Sequence, residues 1–243
     1  HDRSEWIDLA RLLTEHGVVV HKLTQDIEIG NTNYEAGAFV VSLAQPFRPF
    51  IKEVMEAQEY PVRHYTPDGD IIKPYDIASW SLPLHKGVQC DEINKPQPDL
   101  ANVLAPWNPE QERSLRLPEN TAAVLFDASH NASYEMAFRA MGEGLKTYRL
   151  TEPSGDLATG SFVVSIDGGP EGKMMNTLLE DFTGLPLFLS STEGLKMVEQ
   201  ELPRIALMES WFHDMDAGWT RYVFDSYGID YRVLHPGDIE ESD

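Results

Sequence analysis

Along the chain, apolar residues at helical spacing alternate with short, continuous apolar runs, and the alternation repeats. From Trp6 to His16 the residues Trp6, Ile7, Leu9, Ala10, Leu12 and Leu13 predict one helical face, Gly17 suits the left-handed position that ends a helix, and Val18-Val19-Val20 opens a strand. The same order recurs at Tyr134 to Met141, Gly144 and Leu145 to Leu150, and again at Trp219 to Tyr227, Gly228 and Ile229 to Leu234.

The first two copies continue alike. Leu23 matches Leu150, and Gly37-Ala38-Phe39-Val40-Val41-Ser42 matches Gly160-Ser161-Phe162-Val163-Val164-Ser165. Each copy then predicts a helix, FRPFIKEVMEAQEY or PEGKMMNTLLEDF, and a strand, PVRHYT or LPLFLSS. The pattern is an internal duplication of a helix, strand, turn, strand, helix, strand unit, with a shorter turn in the second copy.

Apolar strands precede the second and third copies, at Ala122 to Phe126 and Arg204 to Met208. Strand, polar loop, helix, glycine and strand predict a right-handed βαβ unit, and strands apolar throughout predict a parallel sheet covered on both faces. The expected fold class is therefore α/β, with internally duplicated three-layer units and mostly parallel sheets. The first unit, with a proline-rich wrap, is expected over residues 1–118, and the second over 119–243, including the start of a third βαβ repeat from 203. The wrap, Lys73 to Asn120, carries Trp80 and Trp107, and its apolar segment IASWSLPLHKGVQ is expected to dock on the first unit. The first copy has no strand before it and the third stops at GDIEESD, short of the turn that follows the others, so both ends read as cuts through a longer protein.

Composition narrows the function. With 243 residues, 42% hydrophobic, the chain has the material for one large or two modest cores. Its 40 acidic and 19 basic residues give a formal charge of −21, a repulsive field for phosphate backbones that argues against nucleic acid as a partner. No apolar run approaches the ~20 residues that span a bilayer. Cys90 is the single cysteine, which rules out an internal disulfide and a multi-cysteine metal cluster.

The chemistry-bearing residues form no catalytic set. None of the eight histidines has Glu three positions on, and the nearest approaches are His213-Asp214-Met215-Asp216 and His235-Pro236-Gly237-Asp238. In the first, Asp216 reads as a helix N-cap and His213 as a loop residue; the second reads as a turn. No metal site is expected in either. Cys90, in VQCDE, lacks the small neighbours of a nucleophile elbow. Gly168-Gly169-Pro170 and Gly155 read as turn formers, since no GKS or GKT follows.

Two loops at strand ends remain, DASHNAS and ESWFHDMDAGW. Ligands bind open α/β sheets at such places, because crevices form there and helix N-termini favour anions. If the loops face one another they form a small polar cleft, with Ser129, His130, Trp211, His213 and Asp216 as the candidate ligand-binding residues. Helix capping alone also accounts for the Ser, Asn and Asp residues.

Three stretches become specific together: YEAGAFVVSLAQPFRPFIKEVMEAQEYP, PYDIASWSLPLHKGV and PRIALMESWFHDMDAGWTRYVFDSYGIDYRVLHPGDI. Their order resembles the region after the catalytic domain in large bacterial proteins of the zinc carboxypeptidase family. The matching positions are Gly37, Phe39, Gln45-Pro46, Gln58-Glu59-Tyr60-Pro61, Pro74-Tyr75-Asp76, Trp80, Leu82-Pro83, Trp211, Met215-Asp216, Gly218 and Trp219-Thr220-Arg221. The likeness covers most of Asp2 to Ile239 and is loosest in the proline-rich middle.

The resemblance implies an amidotransferase/flavodoxin-like architecture, beginning a class I glutamine amidotransferase-like domain near the end. It implies an exported, periplasmic or secreted, hydrolase whose zinc is held by His-x-x-Glu and a later His in a preceding peptidase domain. None of those ligands maps onto this chain, and the amidotransferase Cys-His-Glu system has no matching cysteine. The expectation is a non-catalytic accessory region with no cofactor of its own, whose partner is the zinc-bearing peptidase domain of its parent protein. The alternative expectation is a binding module for a peptide or small molecule, using the cleft at the strand ends.

Overall fold

The Asp2 carboxylate accepts the Ser4 N–H at 2.9 Å and so caps the first helix, α1 (Arg3–Glu15), which turns Ile7, Leu9, Ala10 and Leu13 inward. The computed structural model describes residues 2–59, 61–73, 81–112, 115–155, 158–212 and 215–239. They fall into two units, His1–Glu112 and Arg113–Asp243.

In the first unit, α1 ends at Gly17, whose φ of 84° lets the Val18 N–H reach back to the Leu13 carbonyl. The chain continues as β1 (Val20–Leu23), a small hairpin of β2 (Ile27–Ile29) and β3 (Thr32–Tyr34), and β4 (Phe39–Val41), followed by α2 (Arg48–Met55). A short helix α3 (Leu82–His85) and the strand β5 (Leu104–Pro106) complete it. The sheet order is β4-β1-β5, with both pairings antiparallel. Ile7, Ala10, Leu13, Val18, Val20, Ile51 and Trp107 make one core between this sheet and the two longer helices. The segment around α3 docks on its own unit, where Lys86 Nζ lies 2.6 Å from Glu5 Oε2.

The second unit runs β6 (Ala123–Phe126), α4 (Asn131–Gly142), β7 (Thr147–Leu150), β8 (Phe162–Ser165), α5 (Gly169–Glu180), β9 (Leu187–Leu189) and β10 (Met197–Gln200). Its five strands are ordered β10-β7-β8-β6-β9, and every neighbouring pair is antiparallel. Then come β11 (Ile205–Met208), α6 (Met215–Tyr227) and β12 (Tyr231–Leu234), in which β11 and β12 pair in parallel.

The expected three-layer, mostly parallel, amidotransferase/flavodoxin-like class is thereby corrected. The fold is a mixed one of small, mostly antiparallel sheets. After β7 the chain returns through a turn rather than a helix, and a short connection forces an antiparallel partner. That partner, β8, lies between β6 and β7 and separates the two strands that the βαβ reading had paired. Nor are there three layers, since α4 and α5 share one core with Val124, Phe126, Phe162 and Val164. The opposite face buries Ala123, Leu125, Leu150 and Val163 under Tyr148, Leu189, Leu195 and Met197. The unbroken apolar run of β6 thus reflects burial on two faces of an antiparallel sheet. In the first unit, the expected strand at PVRHYT is absent: His64 makes an isolated bridge to Ile71, while Val62 and Tyr65 are exposed.

The two units repeat one another bond for bond around their paired strands. Val20, His21 and Lys22 oppose Val41, Val40 and Phe39, as Thr147, Tyr148 and Arg149 oppose Val164, Val163 and Phe162. The Leu23 N–H donates to the Ala38 carbonyl and the Leu150 N–H to that of Ser161, both at 2.9 Å. The likeness runs further than the sequence match. Thr24 donates its N–H to the Val103 carbonyl and Thr151 its N–H to that of Lys196, so β5 and β10 occupy the same edge.

Candidate functional site

Residues of both strand-end loops belong to the second unit. After β6, the Asp127 carboxylate accepts the Ser129 N–H at 2.8 Å, and this bond holds the carboxyl below its usual range. The His130 N–H donates to the Asp127 carbonyl, and His130 stands at the N-cap of α4 in extended conformation with no side-chain capping bond. One turn in, Ser133 Oγ is buried without a hydrogen-bond partner. The loop is a turn built on Asp127 that launches a helix.

The denser constellation lies beyond β11 and β12. Met208 and Leu234 oppose one another in the parallel pair, so the next residues, Glu209 and His235, emerge side by side. The Glu209 N–H extends the ladder by donating to the Leu234 carbonyl at 3.0 Å. Its carboxylate, with 9% of the residue exposed, lies 3.5 Å from Arg221 of α6 and 3.9 Å from His235 Nε2. On the other side, His235 Nδ1 lies 3.7 Å from Asp238 Oδ2, which accepts the His235 N–H at 2.7 Å. Trp211 stacks on the imidazole, with ring centroids 3.9 Å apart and planes 9° from parallel. A buried carboxylate needs compensating charge, and the Arg221 guanidinium supplies it.

Of the expected cleft residues, Ser129 and His130 lie in the loop before α4, Trp211 lies in the segment before α6, and Asp216 is in the first turn of α6. Trp211 joins His235, not His130. Among the described residues no hydrogen bond, ion pair or ring contact links Ser129 or His130 to Trp211 or Asp216. Asp216 is the second residue of α6 rather than its N-cap, and its carbonyl accepts the Thr220 hydroxyl at 2.8 Å. His213 lies outside the described residues, as do Tyr60, Pro74-Tyr75-Asp76 and Trp80 of the family pattern. Glu209 is not singled out by the sequence, His235 stands out there only as a turn residue, and Arg221 only as a position of the family pattern. The available signal was positional: Glu209 and His235 are the first residues after two strands of one βαβ element.

Chemically, the arrangement can clamp the ends of β11 and β12 and present a stacked aromatic surface. Among the described residues, no group of three or more His, Cys, Asp and Glu side chains converges as a metal site. A hollow beside α4, lined by Met136, Arg139, Leu178 and Phe182 among others, holds about 20 Å³, room for one water. Cys90 sits at the surface, and partial desolvation of its sulfur, then Asp91 and Glu92, hold the thiol above its usual range, away from a reactive thiolate. Among the described residues, no helix is long and apolar enough to cross a membrane.

Around the constellation the surface is aromatic. Trp211 is 72% exposed and Phe212 83%, and Met215, Trp219 and Tyr222 of α6 are exposed as well, with the Trp219 and Tyr222 rings edge-on at 5.9 Å. Of α6, Ala217 is the one buried residue. No family model, no curated protein and no solved structure matches the chain.

Proposed function

We propose that this chain is a non-catalytic accessory region of an exported, periplasmic or secreted, zinc carboxypeptidase-like peptidase, and that it docks on the zinc-bearing domain of the same parent protein. The observation that carries the reading is the aromatic surface of Trp211, Phe212, Met215, Trp219 and Tyr222. Contiguous exposed apolar patches mark interaction sites, and aromatic residues and Met are enriched in the buried centres of interfaces. The family resemblance through Trp211, Met215-Asp216 and Trp219-Thr220-Arg221 falls on this same element. The test begins with the gene sequence around this region and with separate production of the domain encoded beside it. A His-x-x-Glu peptidase domain that binds the chain, with binding weakened at least tenfold by Trp219→Ser plus Tyr222→Ser, is the expected result. A chain that cleaves peptides unaided, or a neighbouring domain without zinc ligands, overturns it.

A second reading, a binding module for a peptide or small molecule, is favoured by the Trp211–His235 stack over buried Glu209 at the ends of a parallel strand pair. Its sign is thermal stabilisation by a ligand in a metabolite or peptide screen, lost in Trp211→Ala.

A further inference from the structure

The structural repeat of the two units leaves one position filled in the second and open in the first. In the second unit β8 lies between β7 and β6. β6 opposes it with Ala123 against Ser165, Val124 against Val164, Leu125 against Val163 and Phe126 against Phe162, and the Ile166 N–H extends the ladder to the Ala122 carbonyl at 2.8 Å. In the first unit β4 is the counterpart of β8, and it is the edge of its sheet, with no strand among the described residues on its outer side.

The hydrogen-bond phase shows which groups face outward. Leu23 bonds Ala38, so the next bonded pair toward β4 is His21 with Val40, and the N–H and C=O groups of Phe39 and Val41 point away from β1. Their counterparts, Phe162 and Val164, point at β6. The burial differs accordingly: Phe162, Val163 and Val164 are buried, while Phe39, Val40 and Val41 are each partly exposed. An open edge with apolar side chains on both faces is a template for another strand.

We propose that the outer edge of β4 is a strand-docking site, and that its occupant is an extended peptide segment, apolar at four consecutive positions, running antiparallel to β4 as Ala123–Phe126 runs along β8. The second and fourth positions fall on the helix-covered face with Phe39 and Val41, as Val124 and Phe126 share a core with Phe162 and Val164. The first and third fall on the opposite face with Val40, as Ala123 and Leu125 do with Val163. Uniform apolarity, rather than alternation, is what the site selects, because β4 offers an apolar neighbour on each face.

The probe is a synthetic peptide copying residues 121–127 of the chain, Thr-Ala-Ala-Val-Leu-Phe-Asp, added to the full chain while amide hydrogen exchange is followed residue by residue. Expected are fast exchange at Phe39, Val41 and Leu43 in the free chain and about tenfold or greater slowing at these three with peptide. The same peptide N-methylated at the amides of its fourth and sixth residues, Val and Phe, has no effect. Val41→Pro removes an outward donor and no bond to β1, so it abolishes the slowing; if that variant fails to fold, the methylated peptide carries the control. Slow exchange at the three amides in the free monomer, no change at saturating peptide, equal slowing by the methylated peptide, or slowing that instead tracks chain concentration with a doubled mass, which is pairing with a second copy, each overturns the proposal.

Discussion

The Lys22 ammonium stands 5.1 Å from the ring centroid of Phe39, its cross-strand partner, and the Arg149 guanidinium stands 5.0 Å from that of Phe162 in the corresponding place. The repeat preserved a cation over an aromatic ring while the cation itself changed. Arg149 adds a hydrogen bond, donating its Nε–H to the Gly160 carbonyl at 3.0 Å, while the Lys22 ammonium also stands 5.9 Å from the Trp6 ring centroid. Lys22→Ala is expected to cost about 0.5–1 kcal/mol and Arg149→Ala about 2 kcal/mol, because a charged hydrogen bond is lost as well. Urea unfolding of the two variants checks the order, and a loss at Lys22 as large as that at Arg149 would overturn it.

Gly37 and Gly160 occupy matching turns at φ of 90° and 93°. A Cβ at either place costs roughly 1–2 kcal/mol in backbone strain. At Gly160 the new Cβ also meets Arg149 Nη2 at 2.9 Å, whereas at Gly37 it meets open space. Gly160→Ala should therefore be the worse of the two in the native background, and should recover part of its cost in an Arg149→Ala background. A double-mutant cycle by urea titration measures that coupling, and additive losses would deny the contact.

Element type was legible where side-chain periodicity and a terminal glycine agreed. Gly17, Gly144 and Gly228 each follow a helix, at φ of 84°, 79° and 65°, as the repeated helix-glycine-strand order implied. Strand direction was not legible. Ala123–Phe126 is apolar at every position because both faces of its sheet are covered, and a sequence carries the burial without the sign of the neighbour. The expected strand at residues 61–66 failed for the opposite reason, since its β-forming Val62 and Tyr65 face solvent and gain nothing from pairing. At the site, Trp211 was legible as an exposed aromatic at a strand end, but its partner was not. The His235-Pro236-Gly237-Asp238 turn hid an imidazole that meets Glu209 across a parallel register no local pattern reveals.

Phe126 and Trp219 separate packing from recognition. Phe126 is wholly buried and meets Phe182 edge-on, with centroids 5.1 Å apart, while Trp219 is 67% exposed. Phe126→Ala is expected to cost about 3–5 kcal/mol, the loss of transfer energy plus the cavity left behind. Trp219→Ser should stay within about 0.5 kcal/mol, since no core contact is lost. Calorimetric melting distinguishes them, and a large loss at Trp219 would place that ring in the fold rather than on a docking face.

Two carboxylates, one in each unit, predict opposite responses to pH. Burial comes first in holding Asp8 above its usual range, against the lowering effect of Lys86 and Arg11. The folded chain thus binds that proton more tightly than the unfolded one, so the Asp8 contribution to stability grows as pH falls through its folded value and is lost as pH rises. Asp127 is lowered, first by the Ser129 N–H, so its contribution is present above the unfolded value of about 3.9 and is lost as pH falls through the folded one. Solvent screens Asp127, which makes its effect the smaller. Asp8→Asn should therefore gain stability relative to the parent chain as pH rises from about 4 to 7, and Asp127→Asn should lose its disadvantage as pH falls below about 4. Urea midpoints of the three proteins across that range read the slopes directly. Parallel curves for both variants would mean that neither carboxyl is perturbed by its surroundings.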